Sequence, residues 1–393
     1  MKRQDDGVPH KNQIPVKLDS AFLRKKCNGG FWVDGHNATL PIDVCDNRGI
    51  LMPRTSQPDW WGGSLAVNFA TALAVHARYV LVQLWPVDLL ADYSVNAFPL
   101  AQGFLDRRAV MGLLLLLASV VLAITSSRRA PLLSLAILSY WVLLLPVSHI
   151  IPHHELAAEH HLYLPSASLC LIAGAGLAAM AKRRRMVGWG VLLLLMVLLT
   201  TLTISRNRVW RSDEALWSDT VQKAPHCARA LFNLAIVHIK DDELDRGEEL
   251  LRRSLEVKDF ARGRAYLGNV LTRKGLHDEA HGLLSGAHEA DPDDPYVVKY
   301  HCQNLIHLGL ETEALPLLEK AITSRPDDAD LPYMLSGAYL ATGRPGEALS
   351  EILTVVSLRP DDERARKIAV LIATKLAKAD LALKLKGGWS PDR

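Results

Sequence analysis

The chain has 393 residues, of which 49% are hydrophobic and 22% are charged, and its formal net charge is only +3. So small a charge, without a basic stripe between aromatic residues, is not typical of nucleic-acid binding, and we expect no nucleic-acid partner. The two residue classes are segregated, because long uncharged runs lie between positions 109 and 204 and charged sequence follows Arg206. We therefore predict an all-α protein, with a helical membrane domain in front of a polar helical domain.

Four apolar segments could each cross a bilayer, whose core of about 30 Å needs roughly 20 residues of helix. They contain no Asp, Glu, Lys or Arg and cover residues 109–126, 130–150, 162–181 and 186–204. A fifth segment, residues 64–90, is undecided. Its central Arg78 costs about 3 kcal/mol on an insertion scale, which cancels most of the gain from its apolar residues. The sequence thus predicts a multi-spanning membrane domain over 64–204, after an irregular segment 1–63.

Basic residues at the ends of these segments predict the orientation of the chain in the membrane. Arg128-Arg129 and the run 182–185 fill the two shortest connections, which weigh most in the positive-inside rule. We expect both connections in the cytoplasm, in contact with membrane lipid, and the C-terminal domain on the extracytoplasmic side.

The C-terminal part repeats at a period of 34 residues. Three sets of residues keep this spacing: Pro292, Pro326 and Pro360, each followed by two aspartates; Ala280, Ala314 and Ala348; and Leu284, Leu318 and Ile352. This is the period of the tetratricopeptide repeat (TPR), a pair of antiparallel helices that stacks into a superhelix with a concave surface. We predict four repeats over residues 228–362, with units beginning near 228, 261, 295 and 329. A linker and capping helix (205–227) precede them, and a terminal capping helix and tail (363–393) follow.

Two loops beside the apolar segments hold the polar residues that could carry chemistry. One follows Leu84 and contains Asp92 and Tyr93; the other, residues 151–161, contains four His and two Glu, among them Glu159 and His160. Imidazole and carboxylate groups suit zinc or iron, but their spacing is not the His-Glu-x-x-His of metalloproteases. A polar loop at headgroup level and a substrate-facing loop are the alternatives, and we expect no bound metal.

These two loops, with the sequence after the last span, resemble a known family. The matching stretches are residues 84–86, 91–94, 158–166, 208–212 and 216–217. They look like the transmembrane-and-TPR protein O-mannosyltransferases and their bacterial relatives, of the GT-C superfamily. The resemblance implies a protein of the bacterial inner membrane that takes a sugar from a polyprenyl-phosphate carrier, with no other cofactor.

The resemblance also implies the substrate-binding residues. Glu159 and His160 would lie near the phosphate or the sugar of the carrier, and Asp92 and Tyr93 at the mouth of the cavity. A protein or peptide ligand, such as the acceptor, would bind the concave face of the repeats.

Two features depart from the family. His160 stands where the family usually has arginine, and an imidazole is a weaker phosphate partner than a permanent guanidinium. The family's catalytic acid follows an N-terminal spanning helix, whereas no segment before Ser64 has the length and composition of a span, and Asp34 and the pair Asp5-Asp6 are poor matches. We therefore expect a truncated, catalytically incomplete enzyme of this type, with its catalytic residues unknown.

Two other functions remain open from the sequence. A membrane-anchored TPR scaffold would assemble extracytoplasmic partners without catalysis. A metal-binding membrane protein would use the His and Glu residues of the second loop, and it ranks third.

Overall fold

The computed structural model describes residues 60–94, 97–149 and 156–387. Within these ranges the chain forms sixteen α-helices, three short 3-10 turns and no strand, which confirms the all-α fold. Helices α1 to α5 make a membrane domain, and α6 to α16 make a solenoid of helical hairpins. The predicted segment 1–63 lies almost wholly outside the described residues.

The membrane domain consists of five consecutive helices. Their bounds are Leu65–Leu84 (α1), Arg107–Ser126 (α2), Pro131–Leu144 (α3), Tyr163–Arg183 (α4) and Arg185–Val209 (α5). Four of these helices have the length and composition to cross a membrane: α1, α2, α5, and α4 taken together with the 3-10 turn Glu159–Leu162 that precedes it. The predicted segments 109–126, 162–181 and 186–204 fall within three of these four helices.

Helix α3 is shorter than the span predicted over residues 130–150. The regular helix covers Pro131–Leu144, and a 3-10 turn, Leu145–Val147, follows it. Pro146 has no N–H to donate into a continuing helix, so the α-helical ladder ends before it. Among the described residues of the predicted segment, these 17 form the apolar helical stretch.

Helix α1 arises from the segment that the sequence left undecided. Ser64 caps its first turn, since its side chain accepts a hydrogen bond from the backbone N–H of Val67. The helix ends at Leu84 because Pro86 disfavours the helical conformation for Trp85, whose φ of −141° and ψ of 83° lie outside the helical region. The helix is thus shorter than the segment 64–90.

Helices α2 and α3, and α4 and α5, form two tight antiparallel hairpins. Four residues join the first pair and Arg184 alone joins the second. Polar side chains connect neighbouring helices: Trp141 Nε1 donates to Ser119 Oγ at 2.7 Å, and the hydroxyls of Ser139 and Ser168 are 2.9 Å apart. Such contacts are common between helices in lipid, where no water competes for them.

The eleven helices of the solenoid follow one another through short turns. They are α6 Asp213–Lys223, α7 Ala228–Lys240, α8 Leu244–Val257, α9 Ala261–Arg273, α10 His277–Ala290, α11 Pro295–His307, α12 Glu311–Ser324, α13 Asp330–Ala341, α14 Pro345–Leu358, α15 Glu363–Lys375 and α16 Ala379–Lys386. Helices α7, α9, α11 and α13 begin within one residue of the predicted repeat starts. Each packs against the helix that follows it, and so forms the first helix of a hairpin.

Small residues let the two helices of each hairpin approach closely. Ala280, Ala314 and Ala348 are fully buried. A methyl group on Gly268 would lie 2.5 Å from Cγ of Leu284, so the α9–α10 contact requires glycine there. The spacing of 34 residues therefore marks helix-packing positions.

The aspartates after two of the three repeat prolines cap the helix that follows. Asp294 caps α11 and Asp362 caps α15, each by accepting backbone N–H groups of the first turn. Asp328 accepts from the N–H of Asp330, but the residue at the cap position of α13 is Ala329.

The single terminal helix that we expected after residue 362 is a pair, α15 and α16. Ala377 between them has a φ of 55°, a left-handed conformation that reverses the chain. The reversal lets Ala382 and Leu385 of α16 join the core cluster of the last repeat. Burial of these side chains thus favours a hairpin over one long helix.

Candidate functional site

The loop after α1 fills the junction between the membrane helices and the first TPR hairpin. Asp92 is 6% exposed, and its Oδ2 lies 3.0 Å from Nη1 of Arg229 in α7. Its Oδ1 accepts the N–H of Ser94 at 2.6 Å, which fixes a tight turn. The predicted substrate residue Asp92 therefore forms an ion pair with the solenoid.

Tyr93 and Glu159 come from the two predicted loops and meet in the structure. Tyr93 Oη donates to Glu159 Oε1 at 2.9 Å and accepts from the N–H of Leu90 at 3.2 Å. Burial, with a contribution from the negative charge of Glu159, raises the pKa of Tyr93 to about 12. The tyrosine is therefore neutral at physiological pH and holds the carboxylate as a donor.

Arg206, near the end of α5, joins this pair and was not among the predicted site residues. Its Nη2 lies 3.6 Å from Glu159 Oε1, and its Nη1 lies 3.2 Å from Asp219 Oδ2 of α6. Nη1 also donates to the backbone oxygen of Leu89 at 3.1 Å, and Lys223 Nζ donates to that same oxygen at 3.1 Å. Because a basic residue at the end of a span is usually a topology signal, the sequence did not identify Arg206 as a site residue.

Several basic and acidic side chains meet at the junction. Within the described residues, four cations (Arg78, Arg206, Lys223, Arg229) stand near four acidic residues (Asp88, Asp92, Glu159, Asp219). Nε and Nη2 of Arg206 are buried and have no hydrogen-bond partner in that part of the chain. Guanidinium donors of this kind suit the oxygens of a phosphate.

His160, the fourth predicted residue, lies at the edge of the junction. Its side chain is exposed, and its ring packs edge-on against that of His161, with 4.4 Å between the centroids. His161 Nδ1 is 3.0 Å from Tyr79 Oη, so the His160–His161 pair is fixed to α1. The structure therefore brings Asp92, Tyr93 and Glu159 into one junction and places His160 beside it.

A small cavity lies beneath Tyr93 and Glu159. Its volume is about 10 Å³, which is the space of one water molecule. Arg78, Tyr79 and Leu162 are among its lining residues. Entry of a sugar phosphate would require this junction to open.

The remaining sequence candidates lie outside the described residues. These are Asp5, Asp6, Asp34, and His153, His154 and Glu155 of the second loop. Over the ranges that the structure covers, no group of three His, Cys, Asp or Glu residues is arranged to hold a metal ion.

Comparison with known proteins identifies the helical hairpins. Residues 305–371 match the family described as Tetratricopeptide repeat. The C-terminal solenoid is built from TPR units. Among solved structures, the TPR solenoid resembles YrrB, described as a TPR protein with an unusual peptide-binding site, at 21% identity and a TM-score of 0.36. That alignment covers 44% of this chain and 89% of YrrB.

Curated relatives connect the TPR units with the membrane helices. The chain is 26% identical over 292 residues to human Protein O-mannosyl-transferase TMTC1, an alignment that covers 68% of this chain and 31% of that protein. It is 27% identical over 234 residues to Protein O-mannosyl-transferase Tmtc3 of Drosophila melanogaster, covering 56% and 25% respectively. The chain thus matches about a third or less of the length of these relatives. Both are animal proteins, so a bacterial source stays a prediction.

Proposed function

We propose that this TPR membrane protein acts in polyprenyl-phosphate-dependent protein O-mannosylation. The junction would bind the phosphate of the carrier lipid, and the concave face of the TPR units would bind the acceptor protein or peptide. The similarity to the two O-mannosyl-transferases supports the reaction class. The observation that carries the binding site is Arg206, whose buried Nε and Nη2 have no hydrogen-bond partner among the described residues, while Nη2 lies 3.6 Å from Glu159 Oε1.

The proposed roles follow from the contacts at the junction. Arg206 would bind the phosphate, and Tyr93 would pass its hydrogen bond from Glu159 to an oxygen of the donor sugar. Asp92 would act as a positioning residue through Arg229, rather than by touching the substrate. His160, exposed beside the junction, would contact the carrier from the rim.

Transfer itself needs a base that takes the proton of the acceptor hydroxyl. Among the described carboxylates of the junction, Asp92, Glu159 and Asp219 each lie within 4 Å of a basic side chain. Each of these carboxylates is thus already held in an ion pair. We therefore propose carrier and acceptor binding for these residues and assign none of them to proton transfer.

Carrier binding can be tested with the full chain in detergent, by titration with polyprenyl monophosphate and native mass spectrometry. Charge-assisted hydrogen bonds contribute about 1.5–3 kcal/mol, so Arg206→Gln is expected to weaken binding roughly 10- to 150-fold. The affinity of Arg206→Lys for the lipid should lie between those of the unaltered chain and of Arg206→Gln, because lysine keeps the charge but lacks the planar guanidinium. Arg246→Gln on α8, a side chain that is 68% exposed, is the matched control.

The second candidate is a TPR scaffold without a carrier site. The cavity of about 10 Å³ favours it, because a site of that size holds water and no sugar phosphate. If the protein is such a scaffold, the full chain and its Arg206→Gln variant should bind the lipid with the same weak, non-specific affinity. That result would show that this chain does not bind the carrier.

The orientation is part of the proposal. We place the TPR units on the extracytoplasmic face, supported by Arg128-Arg129 and the run 182–185 in the two shortest connections.

A further inference from the structure

Helix α1 has the length and composition of a span, yet its first half contacts the beginning of α2. A methyl group on Gly112, in the second turn of α2, would lie 2.0 Å from the backbone oxygen of Leu73. Thr71 Oγ1 accepts the N–H of Ala101, which precedes α2, at 3.0 Å. Asn68 Nδ2 donates to the backbone oxygen of His149, beyond the end of α3, at 2.8 Å. The first half of α1 therefore lies where α2 begins and α3 ends.

The middle of α1 contacts the last turn of α3. The ring of His76 stacks on that of Trp141 with 5.8 Å between centroids. Trp141 lies three residues before the end of α3. The contact therefore lies at the same end of α3 as His149.

The second half of α1 contacts the beginning of α4. Gln83 Nε2 donates to the backbone oxygen of Leu162 at 3.0 Å, and α4 starts at the next residue. Five residues after α1, the oxygen of Leu89 accepts from Arg206 near the end of α5. The end of α1 therefore lies where α4 begins and α5 ends.

These helix ends belong to one face of the membrane domain. The tight hairpins put the start of α2 with the end of α3, and the start of α4 with the end of α5. Ser139 of α3 and Ser168 of α4 touch in antiparallel helices, which unites the two pairs. Both ends of α1 contact this face, which is also the face that leads through α5 into the TPR units.

A helix of 20 residues is about 30 Å long, which equals the thickness of the hydrocarbon core. If α1 crossed the membrane, its two ends would lie on opposite faces. We infer that α1 does not cross, and lies instead across the ends of α2 to α5 at the membrane surface on the side of the TPR units. Its partner there is the lipid headgroup layer.

The composition and burial of α1 agree with this position. Half of its most apolar window is buried inside the protein, compared with 17% for α2 and 6% for α5. Tryptophans flank both ends, with Trp60 38% and Trp85 64% exposed, as is common at the membrane interface. Arg78 near its middle donates to the oxygen of Asp88, and at headgroup level its charge avoids the cost of about 3 kcal/mol at the bilayer centre.

The position of α1 can be tested by cysteine accessibility in sealed membrane vesicles of one orientation. The full chain would first have its five native cysteines replaced by alanine. Ser64→Cys and Asp88→Cys then flank α1, Trp210→Cys marks the face of the TPR units, and Arg128→Cys marks the opposite face. All four positions are exposed.

We expect a membrane-impermeant maleimide to label Ser64→Cys, Asp88→Cys and Trp210→Cys from one side, to within about twofold of each other. Arg128→Cys should react only from the other side. Labelling of Ser64→Cys together with Arg128→Cys, from the side opposite to Asp88→Cys, would show that α1 crosses and overturn the inference. The assay requires no carrier, so its outcome is independent of the proposed function.

The lipid contact has its own measurement. A nitroxide attached to Leu84→Cys, a position 67% exposed at the end of α1, should report headgroup depth by power saturation with oxygen and a nickel chelate. A fully aqueous position would refute the contact with lipid.

Discussion

The ion pair between Asp92 and Arg229 attaches the loop after α1 to the first TPR hairpin, and its removal should loosen that hairpin. The side chains are only 5% and 17% exposed. Loss of one partner from such a buried pair costs about 3–5 kcal/mol, because the other charge stays buried without compensation. In Asp92→Asn the Oδ1 atom can still accept the N–H of Ser94, so this change removes the charge and keeps the turn.

Hydrogen exchange of the full chain in detergent, read by mass spectrometry, measures this loosening in α7. At 1.4 kcal/mol for each factor of ten, the cost corresponds to roughly 150- to 4,000-fold faster exchange of the α7 amides that open with the junction. Glu249→Gln on α8 is the matched control, since its pair with Arg253 spans 3.8 Å and its side chain is 70% exposed. Exposed pairs contribute at most about 1 kcal/mol, so the control should stay within about fivefold of the unaltered chain.

The double variant Asp92→Asn, Arg229→Gln separates the ion pair from a general packing effect. Because no unpaired charge remains, it should exchange more slowly than Asp92→Asn alone. Exchange of α7 in Asp92→Asn within fivefold of the unaltered chain would refute the attachment that we describe.

Two further predictions concern the TPR core. Gly268→Ala should lower the unfolding free energy of the TPR units by about 1–3 kcal/mol through overpacking. Gly337→Ala should raise it by roughly 0.5–1 kcal/mol, because no atom of the described residues lies within 4 Å of the new methyl group. Equal effects of the two variants in urea unfolding would contradict the close contact at Gly268. The second prediction is a pH dependence: burial, with the nearby His288 and His281, lowers the pKa of His301 to about 4. Because this value is below that of the unfolded chain, about 6.5, the unfolded state binds the proton first, and stability falls by at most about 3 kcal/mol as pH drops from about 6.5 to about 4. His301→Gln should reduce the pH dependence of the urea unfolding midpoint between pH 7.5 and 4.5. An unchanged pH dependence would show that other groups cause it.

The fold was predictable where the sequence repeats a local rule. Alanine at 280, 314 and 348 marks the same packing position three times, and each is buried as expected. The lengths of individual helices were harder to predict, because single residues decide them. Pro146 ends α3 early, and the left-handed Ala377 divides the terminal helix.

The site was predictable only in part, for a different physical reason. Loop motifs pointed to Tyr93 and Glu159, and these residues do meet. Their partner Arg206 and the partner of Asp92, Arg229, come from helices far along the chain. Such contacts depend on how the helices pack, and no local spacing encodes them.

The most direct test of carrier binding at the junction is hydrogen exchange of the full chain with and without polyprenyl monophosphate, in the same detergent. Binding at Arg206 predicts slower exchange in peptides that cover residues 85–94 and 156–163, and unchanged exchange in the TPR residues 305–371. Saturating lipid that leaves the first two segments unchanged, or that protects only the TPR units, would contradict it.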